Sequence, residues 1–450
     1  MTTSTINRFI QLFSDAFAQL GVTVPMAEIE QLAMKVHHGM EYGLRVYHTS
    51  PHALEMCREM KPHQALAGLY HDLVYYQLDG GFPTHFKMML EQVVQVSSDG
   101  LRVHHIDQNN AGLVMCSMLF NFGEGDILPL YGGLNEFLSA VVAVHCLSPY
   151  LALADLLRIV ALIAATVPYR GRDKQGRQAT EVLAMRIEQV NQGLQTGLSA
   201  AVIEALVHDA VVVANRDVSG FAVDDPGIFL YVTWMLIEES NAPLAAVGVY
   251  SVQDFRKALQ RMEGFLASLN PEHVFHSYQS VPDADEMARL TERTRANLEF
   301  SVNYLGAKLA SISVVEALAL ETGGDAPVSM FLGDLKTVDV QSDRIEDFLP
   351  TPPARDDIDP LLLNVLEEGR RLSSGGALAA SPLSVFLYRS IGLSGIAAMV
   401  DDAKQMFAGE LRPVDFLKRQ PQAPISAIID GCTRIALSRA ERLRGLLAKL

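Results

Sequence analysis

The sequence has little of what marks a secreted protein. Its 450 residues include only four cysteines, which have neither a paired metal-site spacing nor the density of a disulfide-stabilised secreted domain. The amino terminus has no long apolar core and no small-residue cleavage site of the kind found in secretory signals. We therefore expect free thiols and a cytoplasmic protein.

Long hydrophobic runs and an excess of positive charge are also missing. The most apolar region, residues 134–167, is interrupted by Glu136, His145 and Asp155, so it does not reach the roughly 18 apolar residues of a membrane-spanning helix. The chain has 36 Lys and Arg against 52 Asp and Glu, a formal net charge of −16, whereas binding along nucleic acid needs a broad basic surface. We expect buried helices at 134–167, no membrane partner and no nucleic-acid partner.

Strand-like alternation is scarce, while apolar residues recur at helical spacing, as in Phe9, Phe13 and Phe17. The pattern predicts an all-α fold.

The acidic, proline-containing stretch 337–360 predicts a linker or long loop between a body at 1–336 and a helical segment at 361–450. That segment has twelve Lys and Arg against eight Asp and Glu. It can cap the same core, form a homo-oligomer contact or bind another protein.

Three histidines and an aspartate early in the chain have the spacing of a metal site. The segment Tyr47–Ala53 reads Tyr-His-Thr-Ser-Pro-His-Ala, and the dyad His71-Asp72 follows about twenty residues later within an apolar flank. A second dyad, His208-Asp209, has no such histidine pair near it. Neutral imidazole and carboxylate suit divalent Mn, Fe, Co, Zn or Mg, and these ions can turn bound water into a nucleophile near neutral pH. The residues indicate a metal-dependent hydrolase.

The pattern Tyr-His-x-x-x-His-Ala followed by His-Asp resembles the HD superfamily of metal-dependent phosphohydrolases, in the form seen in phosphodiesterases and small bacterial HD proteins. The resemblance covers about the first fifth of the chain. It implies that His52, His71 and Asp72 bind one divalent ion and that His48 donates a proton to the leaving oxygen. It also implies an HD-like helical bundle, here with a large helical insertion and a C-terminal helical extension. Thr49 stands where this form usually has Asn.

An HD site also needs a carboxylate from a helix well beyond the dyad, and Asp155, Asp209 and Asp217 are candidates. Asp155 lies in an apolar segment, where a buried carboxylate must be paired or bound. Asp217 follows the apolar stretch 210–214, where a helix interior gives way to polar residues, and we favour it as the fourth ligand. The alternative is that Asp217 only caps a helix or pairs with Arg216.

The densest group of cations lies in the loop 166–177, after a long apolar helix. Arg can hold phosphate oxygens in a two-pronged hydrogen bond, and Lys can add a point charge. We take Thr166 and Arg170, which are nearest the helix end, as candidate phosphate contacts. A solvated charged loop is the alternative interpretation.

These residues together predict a metal-dependent phosphohydrolase or phosphodiesterase that hydrolyses a small phosphate ester, with nucleotide-derived esters among the candidates, through metal-activated water. The ligand set is compatible with Mn, Fe, Mg, Co or Zn. The alternative is a catalytically degenerate HD-fold module that binds or scaffolds a partner.

Overall fold

The computed structural model describes residues 3–43, 45–130, 132–241, 244, 249–334, 343–369 and 381–450. Within these residues the chain forms twenty α-helices and a single antiparallel pair of short strands, which confirms the predicted all-α class. The first elements are α1 (Thr5–Gln19), α2 (Met26–Met40), α3 (Ser50–Met56), α4 (Pro62–Tyr70), α5 (Tyr76–Asp79), α6 (Lys87–Val93), β1 (Val94–Ser97), β2 (Gly100–Val103), α7 (Ala111–Phe120), α8 (Leu134–Leu147), α9 (Leu153–Ala165), α10 (Ala179–Leu194) and α11 (Ala200–Asp217). The later helices are α12 (Pro226–Glu239), α13 (Val252–Ser268), α14 (Ala284–Thr322), α15 (Ser329–Leu332), α16 (Pro360–Glu368), α17 (Pro382–Phe407), α18 (Pro413–Arg419), α19 (Gln422–Ile435) and α20 (Ala440–Leu447).

The chain divides into two compact units. The first contains Met1–Ala222 and Asn270–Thr294, and the second contains Val223–Leu269 and Arg295–Leu450. The predicted linker at 337–360 begins in residues that lie outside the described part. From residue 343 onward it includes the short 3-10 helix Ile345–Phe348 and then irregular chain up to the start of α16.

Helix α9 is the centre of the first unit. Nine of its thirteen residues are buried, and it packs against α4, α7, α8, α10 and α11. A helix that is apolar on nearly all sides is stable only when other helices surround it. The apolar region 134–167 therefore forms buried helices, as expected. The aromatic stripe Phe9, Phe13 and Phe17 of α1 is buried in the same core.

The candidate ligands lie at or near helix ends. A proline opens the first turn of α3 and of α4, where its missing N–H costs no helical hydrogen bond. The side chain of Ser199 accepts a hydrogen bond from the N–H of Val202 at the start of α11. These boundaries place His52 in the first turn of α3, His71 directly after α4 and Asp217 at the last residue of α11.

The cysteines and the apolar helix α17 concern the expectations of free thiols and of no membrane partner. All four cysteines, which are Cys57, Cys116, Cys146 and Cys432, are free and buried. Helix α17 is long and apolar enough to span a bilayer by length and composition, with 56% of its most apolar window buried in the protein. Core helices of soluble proteins meet the same criterion, so the absence of a membrane partner stays a prediction.

Candidate metal centre

Four side chains from three parts of the first unit converge on one point. One donor atom each from His52, His71, Asp72 and Asp217 lies within 4.8 Å of all the others. Nε2 of His71 lies 2.9 Å from Oδ2 of Asp72 and 3.4 Å from Oδ1 of Asp217. Nε2 of His52 lies 3.4 Å from each of the same two oxygen atoms. The cluster can bind a metal ion and is compatible with the HD-type motif.

The geometry fits a single divalent ion. Two ligand atoms bonded at about 2.1 Å to one ion lie about 3.0 Å apart at a right angle and about 3.4 Å apart at the tetrahedral angle. The nitrogen-to-oxygen distances of 2.9 and 3.4 Å match these values. Despite this proximity, Nε2 of His52 and Nε2 of His71 are buried and make no hydrogen bond among the described residues. Buried polar atoms are normally satisfied, and a cation between these nitrogens and the carboxylates would satisfy both of them.

A hydrogen bond on the far side of one imidazole sets its orientation. Nδ1 of His71 lies 2.9 Å from the carbonyl oxygen of Gly68. A carbonyl only accepts, so in the neutral ring Nδ1 carries the proton and donates it. The lone pair of His71 is then on Nε2, the atom that faces the cluster. Metal-binding histidines commonly have such a partner on their other nitrogen.

The four groups also shift one another's pKa values. Burial alone would lower the pKa of His52, but the carboxylates of Asp217 and Asp72 raise it to about 9. Burial likewise opposes a rise in the pKa of His71, which the same carboxylates raise well above its usual value. The imidazoles in turn hold the pKa of Asp72 and that of Asp217 below their usual range, against the effect of burial. The cluster therefore favours positive charge between its two carboxylates.

His48 lies beside the cluster rather than in it. Its ring centroid is 5.9 Å from that of His52 and 4.5 Å from that of Tyr75. The charge of His48 also contributes to the lowered pKa of Asp72. This placement is close enough to act on a group bound at the cluster, and the predicted role in proton donation stays a prediction.

Asp155 and Asp209, the other candidates for the fourth ligand, form ion pairs outside the cluster. Oδ1 of Asp155 lies 2.9 Å from Nε2 of His63, and Oδ1 of Asp209 lies 2.6 Å from Nζ of Lys61. Neither aspartate belongs to the group of donor atoms that includes Asp217. Of these three candidates from the sequence, only Asp217 lies next to the His71-Asp72 dyad.

Thr166 and Arg170, the predicted phosphate contacts, donate hydrogen bonds to carbonyls at and just after the end of α9. The hydroxyl of Thr166 donates to the carbonyl of Ile163, and the guanidinium of Arg170 donates to the carbonyls of Val167, Ala164 and Ala165. Among the loop's other cations, Arg172 donates to the carbonyl of Gly176, Arg177 pairs with Asp173, and Lys174 is exposed. The structure thus gives Thr166 and Arg170 a helix-end role, and their contact with phosphate stays a prediction.

Sequence reasoning missed a carboxyl group near the cluster. Burial, together with the charges of Asp72 and Asp217, raises the pKa of Glu136 to about 7, and Arg170 partly offsets this rise. Two neighbours of Glu136 on α8 receive hydrogen bonds from the chain just after the dyad: Asn135 from the N–H of Tyr76, and Ser139 from the N–H of Val74. The first turns of α8 therefore face the dyad. The sequence showed Glu136 only as an interruption of an apolar region.

A second feature missed from the sequence is a buried ion pair between Arg45 and Asp79. Its hydrogen bonds reach the backbone at Asp72 and at His48. Arg45 stands just before the Tyr-His motif, but nothing in the local pattern assigns it a partner.

No family model, no curated protein and no solved structure matches the chain. The case for a metal centre therefore depends on the motif and on the geometry of the four ligands.

Replacing a ligand should abolish metal binding, whereas replacing a rival aspartate should not. We expect the wild-type protein and Asp155→Asn to retain about one equivalent of divalent metal after dialysis, and His71→Ala and Asp217→Asn to retain almost none. Elemental analysis of the purified proteins measures this, with circular dichroism as the control for folding. Retention of metal in folded His71→Ala would contradict the assignment.

The metal-free protein should lose stability in mildly alkaline solution. The pKa of His52, about 9 when folded, exceeds its ordinary value of 6.5. The resulting stabilisation is fully present below about pH 6.5 and disappears as the pH rises through about 9, a loss on the order of 3 kcal/mol. Chemical denaturation in the presence of a chelator measures it. His52→Gln should show a smaller loss, and saturating metal should remove the dependence because the ion takes the place of the proton.

Proposed function

We propose that this protein is a metal-dependent hydrolase of small phosphate esters, of the HD type. The observation that carries the proposal is the convergence of four donor atoms, from His52, the His71-Asp72 dyad and the distant Asp217, within 4.8 Å of one another. These four residues would hold the ion. When bound, a divalent ion lowers the pKa of coordinated water and offsets the charge that develops on phosphoryl oxygens.

His48 supplies the general acid in this proposal. Departure of an alkoxide is slow unless its oxygen receives a proton, and a protonated imidazole can donate one near neutral pH. The centroid of the His48 ring lies 4.9, 5.9 and 4.5 Å from those of Tyr47, His52 and Tyr75. These contacts hold the imidazole next to the cluster, on the side of α3 where the motif begins.

Glu136 is the proton acceptor in this proposal. The pKa of Glu136 is about 7 in the metal-free protein, and a divalent ion at the cluster would lower it. The carboxylate would then be available at neutral pH to accept a proton from an attacking water. The positive charge of Arg170 lies close enough to Glu136 to favour its ionised form. The proposed site thus has an acid, His48, and a base, Glu136, on different elements around the four ligands.

The direct test is turnover with and without metal. We expect the purified protein, loaded in turn with Mn²⁺, Co²⁺, Zn²⁺ or Mg²⁺, to release phosphate or alcohol from a panel of phosphate monoesters and diesters, and a chelator to abolish this activity. His71→Ala should be inactive with every ion. Stoichiometric metal without turnover on any ester would instead favour the alternative of a non-catalytic HD-fold module.

The dependence on the leaving group tests His48. We expect His48→Gln to lower kcat about 100-fold for esters of alkyl alcohols, but less than about 10-fold for 4-nitrophenyl esters, because 4-nitrophenolate leaves without a proton. Metal content should be unchanged, since His48 is not a ligand. An equal loss on both kinds of ester would assign His48 a role other than proton donation.

The pH–rate profile tests Glu136. In the metal-loaded wild type, kcat should rise with pH as the carboxyl group ionises, and this rise should lie below about pH 7 because the positive charge of the ion lowers the pKa of Glu136. Glu136→Gln should lower kcat and remove this rise, while Asp155→Asn, which changes a carboxylate outside the cluster, should leave the profile unchanged. A profile of Glu136→Gln with the wild-type rise would exclude Glu136 as the base.

A further inference from the structure

Every N–H of the buried guanidinium of Arg45 donates a hydrogen bond. Nε and Nη2 of Arg45 donate to Oδ1 and Oδ2 of Asp79 over 2.8 and 2.7 Å. Nη1 donates to the carbonyl of Asp72 over 2.8 Å and to that of His48 over 3.4 Å, and Nη2 also donates to the carbonyl of Leu73 over 3.1 Å. The side chains of Arg45 and Asp79 are only 1% and 0% exposed.

These hydrogen bonds join two segments that the proposed chemistry uses and connect both of them to a third, α5. The carbonyls of Asp72 and Leu73 belong to the turn after α4, beyond the last residue of that helix. The carbonyl of His48 belongs to the segment that carries the proposed acid. Asp79, at the end of α5, fixes the guanidinium from the opposite side. Movement of Arg45 would therefore shift the backbone of a ligand and that of the acid together.

We propose that Arg45, held by Asp79, is a positioning residue that sets the metal affinity of the cluster by fixing the backbone of Asp72 relative to that of His48. The inference depends on the metal centre of the proposed function. Arg45 does not approach the ion in this proposal; it acts only through the carbonyl groups that it binds.

A lysine cannot replace this group. The planar guanidinium has five N–H donors in a fixed arrangement, and here two bind the carboxylate while the others bind three carbonyls. A lysine ammonium has three donors on a flexible stem and cannot form this set. Arg45→Lys therefore keeps the charge but removes the positioning.

The chain offers a matched control in its second unit. Arg256 donates from Nε and Nη2 to the two carboxylate oxygens of Glu316 over 2.8 and 3.1 Å, and their side chains are 12% and 4% exposed. This pair resembles Arg45 and Asp79 in its burial and two-pronged geometry, but it belongs to the unit without the candidate ligands. Arg256→Lys should change stability without changing metal affinity.

The experiment measures Co²⁺ affinity by competition with a chromophoric chelator, together with the Co²⁺ absorption spectrum, on full-length protein. We expect Arg45→Lys and Asp79→Asn to weaken binding at least about 10-fold and to alter the spectrum, because outer hydrogen-bond partners of ligands typically contribute 10- to 100-fold. Arg256→Lys should bind as the wild type does. Each variant is measured well below its own unfolding temperature, so lower stability alone does not mimic the effect.

Wild-type affinity and spectrum in folded Arg45→Lys and Asp79→Asn would overturn the proposal and leave the pair a purely structural role. Failure of both variants to fold would do the same. A wild-type protein that binds Co²⁺ but hydrolyses no phosphate ester would refute the proposed function and leave the positioning role open to the same comparison. Absence of Co²⁺ binding in the wild type would overturn both.

Discussion

The central constraint on this structure is the close approach of two carboxylates in a largely buried place. Oxygen atoms of Asp72 and Asp217 lie 2.9 to 3.4 Å from the same imidazole nitrogens, and their negative charges would repel if nothing positive lay between them. The protein can meet this requirement with protons on the imidazoles or with a metal ion. Two neutral imidazoles and two ionised carboxylates are the form that a divalent ion binds.

The helical scaffold adds to this preference for a cation. His71 and Asp72 follow the C-terminal end of α4, and Asp217 is the last residue of α11, so two helices direct their partly negative ends towards the cluster. Both helices pack against the central helix α9, whose own carbonyl end is capped by Arg170. The packing of α4 and α11 on α9 thus brings the distant Asp217 to the His71-Asp72 dyad.

The sequence could predict what local patterns encode. Helical periodicity predicted the all-α class, and the dyad with its upstream histidine pair predicted three of the four donor groups. The change from apolar to polar residues after position 214 favours Asp217 as the fourth. Glu136 and the Arg45–Asp79 pair could not be predicted, because their importance comes from partners that only the packing of α5 and α8 brings near. The hydrogen bonds of Arg170 to the carbonyls at the end of α9 could not be predicted from the charge pattern of its loop either, and its contact with phosphate stays a prediction.

The charges around the cluster limit what the site could attract. Asp72, Asp217 and an ionised Glu136 contribute three negative charges, and Arg170 contributes one positive charge near Glu136. A divalent ion brings this group to neutrality, which leaves no surplus of fixed positive charge to draw in an anion. Attraction of a phosphate ester would then depend on the bound ion itself and on His48. His48 would then contribute both to departure of the leaving group and to binding of the anion.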